Sequence, residues 1–319
     1  MDDRRERTIF WILVAALLAA TGGAYALILG PPPGERDPVV VLADEPPPPR
    51  AGPEGPAQAH PSPGRLRLAV AEVVGDVALV RGGVAAPARP GDALQLEDAL
   101  VASAGARVRI SGGSYGVVLE EAGQLEVGTA SAELALLRLG AGYLSATVAG
   151  GALEIAAAPG ASVRSERGTL SVARQGGSLA VAVREGGAVL GAAGGAVALT
   201  AGQQSLALEG RPPQAATAIA SSLPLEVSWP ALRRTNRGSV VVTGRTAPGA
   251  IVVIGGASVK LEPDGRFTHV IVLHEGEQRL AAHARAVGGL EAAAHGPMLV
   301  LDTHAPDARF DTQDLWEKP

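Results

Sequence analysis

Apolar and polar positions fall into three regimes along this chain. The first is an apolar run that begins at Ile9 and ends at Leu29, positions 9–29, with no charged residue inside it. As a helix rising about 1.5 Å per residue, a run of that length matches the roughly 30 Å hydrocarbon core of a bilayer. The second regime, residues 30–64, is broken by Pro31-Pro32-Pro33, Pro46-Pro47-Pro48-Pro49, Pro53, Pro56, Pro61 and Pro63. Proline fixes φ and removes a backbone donor, so this segment favours extended geometry without a packed core. The third regime consists of short β-branched or leucine-rich stretches bounded by Gly, Pro, Ser or Asp. Val77-Ala78-Leu79-Val80-Arg81 and Arg107-Val108-Arg109-Ile110 show the period of a half-buried strand. Strands are expected over residues 71–81, 107–110, 116–120, 134–139, 142–148, 153–157, 169–173, 179–184, 196–200 and 203–208. A second series covers residues 239–244, 251–254, 257–261, 266–272, 279–286 and 290–301. Residues 132–139 offer a short helix as an alternative. The fold class predicted is all-β after one N-terminal transmembrane helix, with sandwich or roll packing of short strands.

This patterning divides the chain into a cytoplasmic tail (1–8), a signal-anchor helix (9–29), a Pro-rich linker (30–64), a β-domain (65–210), a linker (211–223), a second β-domain (224–305) and a tail (306–319). Arg4, Arg5 and Arg7 precede the apolar run, and under the positive-inside rule they hold the N-terminus in the cytoplasm; Asp2, Asp3 and Glu6 weigh little in that rule. Ala24-Tyr25-Ala26 also fits a small-x-small cleavage site, which gives a secreted form starting after Ala26 as the alternative. Both readings export the bulk of the chain. At about 3.1 Å per residue the Pro-rich linker reaches up to roughly 100 Å from the bilayer. Val39-Val40-Val41-Leu42 is an apolar island within it. The 211–223 linker carries Pro212-Pro213 and an Ala/Ser run, and few contacts are expected to cross it.

Composition narrows the class further. Cysteine is absent, which rules out a lipidated-cysteine anchor and leaves stability to core burial rather than disulfides. Gly 42, Pro 24 and an aromatic content of 3% suit short strands joined by tight turns. The net charge of −5, without a basic stripe interleaved with aromatics, gives no nucleic-acid partner. Arg67, Arg81, Arg107, Arg109, Arg138 and Arg164 lie among acids and read as solvated strand faces.

The order of the turn motifs carries a resemblance. Val73-Val74-Gly75-Asp76-Val77, Arg81-Gly82-Gly83 and Pro90-Gly91-Asp92-Ala93-Leu94 come first. Leu139-Gly140-Ala141-Gly142-Tyr143-Leu144, Gly168-Thr169-Leu170-Ser171-Val172, Val181-Ala182-Val183-Arg184-Glu185-Gly186-Gly187 and Leu199-Thr200-Ala201-Gly202-Gln203 follow. This series resembles FecR-type domains, although Ser111-Gly112-Gly113-Ser114 stands where that family usually has a D-G-S turn. Farther on, Val242-Thr243-Gly244, Ala247-Pro248-Gly249-Ala250, Pro263-Asp264-Gly265-Arg266-Phe267, Glu275-Gly276 and Asp302-Thr303-His304-Ala305-Pro306 resemble bacterial immunoglobulin-like modules. The resemblance implies a bacterial envelope protein whose β-domains bind or space. FecR proteins that control sigma factors carry a cytoplasmic helical domain; with eight residues before the apolar run, anti-sigma activity is not expected here.

Candidate chemistry is sparse. Gly112-Gly113-Ser114-Tyr115-Gly116 satisfies G-x-S-x-G, but a nucleophile elbow needs a following helix, and Val117-Val118-Leu119 reads as a strand. Ser114 is therefore expected in a hairpin turn. Of His60, His269, His274, His283, His295 and His304, only His269 and His274 are close enough in sequence to meet across a turn, and no metal-ligand spacing is present. Glu97-Asp98 and Glu120-Glu121 lie at strand ends, and Asp264-Gly265 is a turn rather than a calcium loop. No catalytic, cofactor-binding or metal residue is assigned, and no cofactor. The reading is a non-catalytic protein anchored in the bacterial inner membrane through Ile9 to Leu29, with periplasmic β-domains that bind or scaffold an envelope protein or glycan. Thr21-Gly22-Gly23-Ala24 adds a small-residue packing patch for a membrane partner. The alternative is an accessory or hydrolytic enzyme of envelope carbohydrate that uses the immunoglobulin-like module as a substrate platform.

Overall fold

A computed structural model describes residues 67–304 apart from 132, 158, 159 and 232. The proposed anchor, the Pro-rich linker and the C-terminal tail lie outside the described residues. Within them the chain is all-β, and no helix is long and apolar enough to cross a membrane.

The first half is a single sheet folded into two facing layers. It contains β1 (Ala69–Val74), β2 (Val77–Arg81), β3 (Val84–Pro87), β4 (Ala99–Ala102), β5 (Arg107–Gly112), β6 (Tyr115–Ala130), β7 (Leu134–Val148), β8 (Ala152–Ala156), β9 (Ala161–Gln175), β10 (Ser178–Ala192), β11 (Gly195–Thr200), β12 (Gln203–Leu208) and β13 (Thr217–Ala218). Four strands, β6, β7, β9 and β10, are long enough to run through both layers. One half of β9 (Thr169–Arg174) pairs with the end of β7 and the start of β10, while its other half pairs with β8 and the end of β10. Strands β6 and β7 divide in the same way, with register shifts between Glu120 and Leu125 where they bend. Between the layers lies one core, with Val108, Leu119, Leu144, Ile155, Val163, Val172, Val181 and Leu190 at 0% exposure. Burying each such side chain contributes about 1.5–3 kcal/mol, and this core supplies what disulfides do not.

Where β9 and β10 bend together, the backbones approach so closely that only glycine fits. Gly168 has φ +130°, and a Cβ there would lie 2.0 Å from the Glu185 carbonyl oxygen; a Cβ on Gly186 would lie 2.1 Å from that of Arg167. The sequence expected separate strands at residues 134–139 and 142–148, and a possible helix over 132–139. The structure instead has one strand, β7, with a bend between its halves. The helical alternative fails because Ala135, Leu137 and Leu139 point to the core at a period of 2. Strands β3 and β4 were not expected.

The second half is a sandwich of two sheets. One contains β14 (Leu225–Ser228), β16 (Ser239–Thr246) and β19 (Arg266–Val272). The other contains β15 (Arg234–Thr235), β21 (Leu290–Leu301), β20 (Gly276–Ala286), β17 (Ile251–Ile254) and β18 (Ala257–Val259). Val242, Val252, Val259, Ala282 and Leu299 form the centre of its core. The Pro-Asp-Gly turn forms as its chemistry requires: Gly265 has φ +82°, and Asp264 Oδ1 accepts a 3.1 Å hydrogen bond from the Arg266 amide.

Residues 211–223 do not hang free between these units. Thr217–Ala218 pairs with β12, the Gln214 amide donates to Leu206 O at 2.9 Å, and the Ile219 amide donates to Gly202 O at 2.9 Å. The segment lies along the first sheet as an added edge, because its backbone groups find partners on the otherwise unpaired side of β12.

Candidate functional site at the seam between the two β-units

Two segments are apolar at every position: Leu179-Ala180-Val181-Ala182-Val183 in β10 and Ile251-Val252-Val253-Ile254 in β17. A strand with one wet face alternates, and a strand covered on both faces does not. Both segments are buried throughout. Leu179, Val181 and Val183 enter the first core, while Ala180 and Ala182 face the opposite way. Val252 and Ile254 enter the second core, and Ile251 faces out of it. Ile251 and Val287 meet Tyr143, Ala173, Ala180 and Ala182 in a third apolar cluster that joins the two units. Small side chains on β9 and β10 permit this approach: a Cβ on Gly249 would lie 2.8 Å from that of Ala180.

Polar contacts border the seam. Gln175 Nε2 donates to Ser258 Oγ at 3.1 Å and also to the Val259 carbonyl. The Gly288 amide donates to Ser171 Oγ at 2.8 Å, and Arg184 donates to the Gly288 carbonyl. Arg285 of β20 reaches across to Glu120 of β6 and lies 3.2 Å from Glu291 of β21. Its guanidinium carbon sits 4.5 Å from the centre of the Tyr143 ring. Glu120 and Tyr143 are cross-strand neighbours, as are Arg285 and Glu291, so two sheets each present a pair to the other. With exposures of 23% for Arg285 and 14% for Glu120, this ion pair is largely out of water. A cavity of about 510 Å³ opens beside it, between Ala104 and Gly105 of the first unit and Val253, His283 and Arg285 of the second.

On the β14–β16–β19 sheet, Val241 and Val270 sit opposite each other and are 57% and 54% exposed, beside Val272 at 71%. The row ends in Arg245 and Arg266, which are paired in register.

The residues singled out in the sequence are scattered. Ser114 lies in the β5–β6 hairpin turn next to Gly113 (φ +53°), is exposed, and is followed by a strand. His269 is half-buried on β19 opposite Val242, and burial pushes its imidazole below the ordinary value. His274 lies beyond β19, where its backbone exchanges hydrogen bonds with Gln278. His304, by contrast, lies near Glu275 and Asp302. That exposed group is already occupied: both Glu275 oxygens accept from Thr303, and Asp302 binds Arg234 and the His304 amide. Asp98, immediately before β4, is 2% exposed. Arg81, itself 46% exposed as a solvated strand-face residue, holds it with two hydrogen bonds of 2.9 and 2.7 Å. Burial alone would raise the Asp98 carboxyl, but hydrogen bonds from Arg81 and the Gln95 amide hold it below the usual range. Sequence reading missed the seam, although the loss of alternation at 179–183 and 251–254 was its visible signal.

No known family profile matches this chain, and no curated protein matches it. Among solved structures, two crystal structures of a candidate anti-sigma factor from Parabacteroides distasonis ATCC 8503 are similar at a TM-score of 0.34, with 13% and 12% identity. Each match covers 38% of this chain and 59% of that protein. A polysaccharide lyase is similar at a TM-score of 0.19 and 10% identity, over 76% of this chain and 40% of the lyase. These likenesses amount to partial β folds, and none carries an argument about activity.

Proposed function

We propose that this chain is a non-catalytic envelope protein, anchored through Ile9 to Leu29, in which a FecR-like unit and an immunoglobulin-like unit act as one rigid platform for a protein or glycan partner. The observation that carries the reading is the seam. Two strands buried on both faces, an alanine-lined contact and a largely dehydrated Arg285–Glu120 pair join the units. A relay or spacer with independent modules has no use for that burial, whereas a scaffold needs its surfaces held in fixed relation. The Pro-rich segment places this platform away from the bilayer.

The test is complementation of a deletion strain at matched protein level, with membrane fractionation of each variant. The full chain should resist carbonate extraction, and a soluble species beginning at Leu27 would overturn the anchor. Ala180→Asp, which puts a charge into the seam, should abolish function while both units stay folded. Ser114→Ala and the His269→Ala/His274→Ala pair should be silent. An inactive Ser114→Ala variant beside an active Ala180→Asp variant would put an enzyme first.

A further inference from the structure

At one open end of the first sandwich, a cationic side chain points the wrong way for a strand. In β9, Leu170 and Val172 point into the core, and Arg174 is the next residue on that same face. Its guanidinium is half-buried between the layers, where burial lowers its pKa. It donates one hydrogen bond, from Nη1 to Leu139 O at 2.7 Å. Among the described residues no carboxylate lies within ion-pair distance of it, although the nearby Glu209 charge favours its protonated form. Its guanidinium lines an open cavity, and a planar guanidinium suits a bidentate anion. A cavity of about 270 Å³ opens onto it, walled by Gly160, Ala161, Gly177, Ala192, Gly194 and Ala207. These walls are small where side chains would otherwise fill the mouth: a Cβ on Gly160 or Gly194 would meet no atom within 4 Å. Glu209 lines the same cavity without pairing with Arg174, and so offers an acceptor on the other side. The adjoining surface cavity shares Gly177, Leu208 and Glu209 and adds Arg211 and Lys260, the only lysine among the described residues, with Glu262.

We infer that this mouth is a binding site for a small carboxylate-bearing ligand, either an acidic sugar unit or an amino acid. Its carboxylate meets the Arg174 fork, and a hydroxyl or ammonium group beside it donates to Glu209. Arg–carboxylate pairing is the contact that a planar guanidinium favours. A cavity of this volume is at the small end of ligand sites and admits one ring or one short chain, not an extended polymer. The cavity at Arg174 is lined by the first unit alone, so its test does not depend on the platform reading.

The test uses the full chain in detergent micelles, titrated calorimetrically with galacturonate, glutamate, methyl galactoside and inorganic phosphate. Galacturonate or glutamate should bind, and which of the two binds identifies the source; methyl galactoside should not. Arg174→Met should weaken binding at least tenfold, and Glu209→Gln should weaken it severalfold. Arg164→Met, at a side chain 53% exposed on the same strand, should leave it unchanged. A second measurement needs no variant: the carboxylate that binds should raise the melting temperature of the native chain, and methyl galactoside should not. Phosphate binding as well as the carboxylates, with no effect of Glu209→Gln, would reduce the site to an adventitious anion and overturn the assignment. Failure of both carboxylates to bind or to stabilise the native chain would overturn it too.

Discussion

Replacing Gly168 by Ala tests whether the bend between layers is what holds the first unit together. Gly168 has φ +130°, a region L-residues rarely enter, and its added Cβ would lie 2.0 Å from Glu185 O, 2.7 Å from Glu185 C and 2.9 Å from Gly186 Cα. All three contacts are backbone, so no flexible side chain can yield; β9 and β10 must separate at the point where their register already shifts. A left-handed conformation costs a non-glycine residue about 1–2 kcal/mol, and forcing packed backbone apart adds about 1–3 kcal/mol. The expected loss is therefore about 2–5 kcal/mol. A unit of this size loses roughly 2–4 °C of melting temperature per kcal/mol, which places the shift at about 4–20 °C. Gly82 is the control: its φ is +56°, and an added Cβ would meet nothing within 4 Å. Gly82→Ala should cost about 1 kcal/mol, or roughly 2–4 °C. The assay is thermal unfolding of the full chain followed by far-ultraviolet circular dichroism. Equal shifts for the two variants would refute the steric argument and leave only the backbone preference of glycine.

Three further outcomes follow from the contacts described. Arg285→Ala should destabilise the chain by about 2–3 kcal/mol, below the full cost of breaking a buried pair because 23% of the side chain is exposed; urea unfolding measures it, and a joint Arg285→Met/Glu120→Gln variant should recover part of the loss. The Asp98 carboxyl is held below its unfolded value of about 3.9, so its contribution is fully present above about pH 4 and is lost as pH falls through the lower folded value. Asp98→Asn should therefore melt below the native chain at pH 6, with the gap closing toward pH 2. Limited digestion with proteinase K, which has broad specificity, should spare residues 214–219 until the chain opens globally, because they are hydrogen-bonded along β12; early cleavage there would show that the docking does not persist.

The second sandwich is legible almost strand for strand, since Ile251–Ile254 is short and apolar and Arg266–Val272 follows the strong Pro-Asp-Gly turn. The first was read in pieces: each half of β7 was recognised, but not that one strand joins them through two layers. Local alternation reports which face is buried and does not report that a strand bends at a glycine into another layer. The mouth around Arg174 had a signal that went unused, a charge on the core side of Leu170 and Val172.

By itself the sequence determined that the chain after residue 66 is β-rich, that its stability rests on Val, Leu and Ile rather than disulfides, and that Ser114 belongs to a turn. These are local properties, carried by period, turn residues and composition. Tertiary structure alone decided that residues 211–223 dock, that Asp98 and Arg81 pair across 17 positions, and that Ala180 and Ile251 close a seam between the two units. Such contacts join residues far apart in the chain, and their energies depend on which faces are left uncovered once each local element has formed.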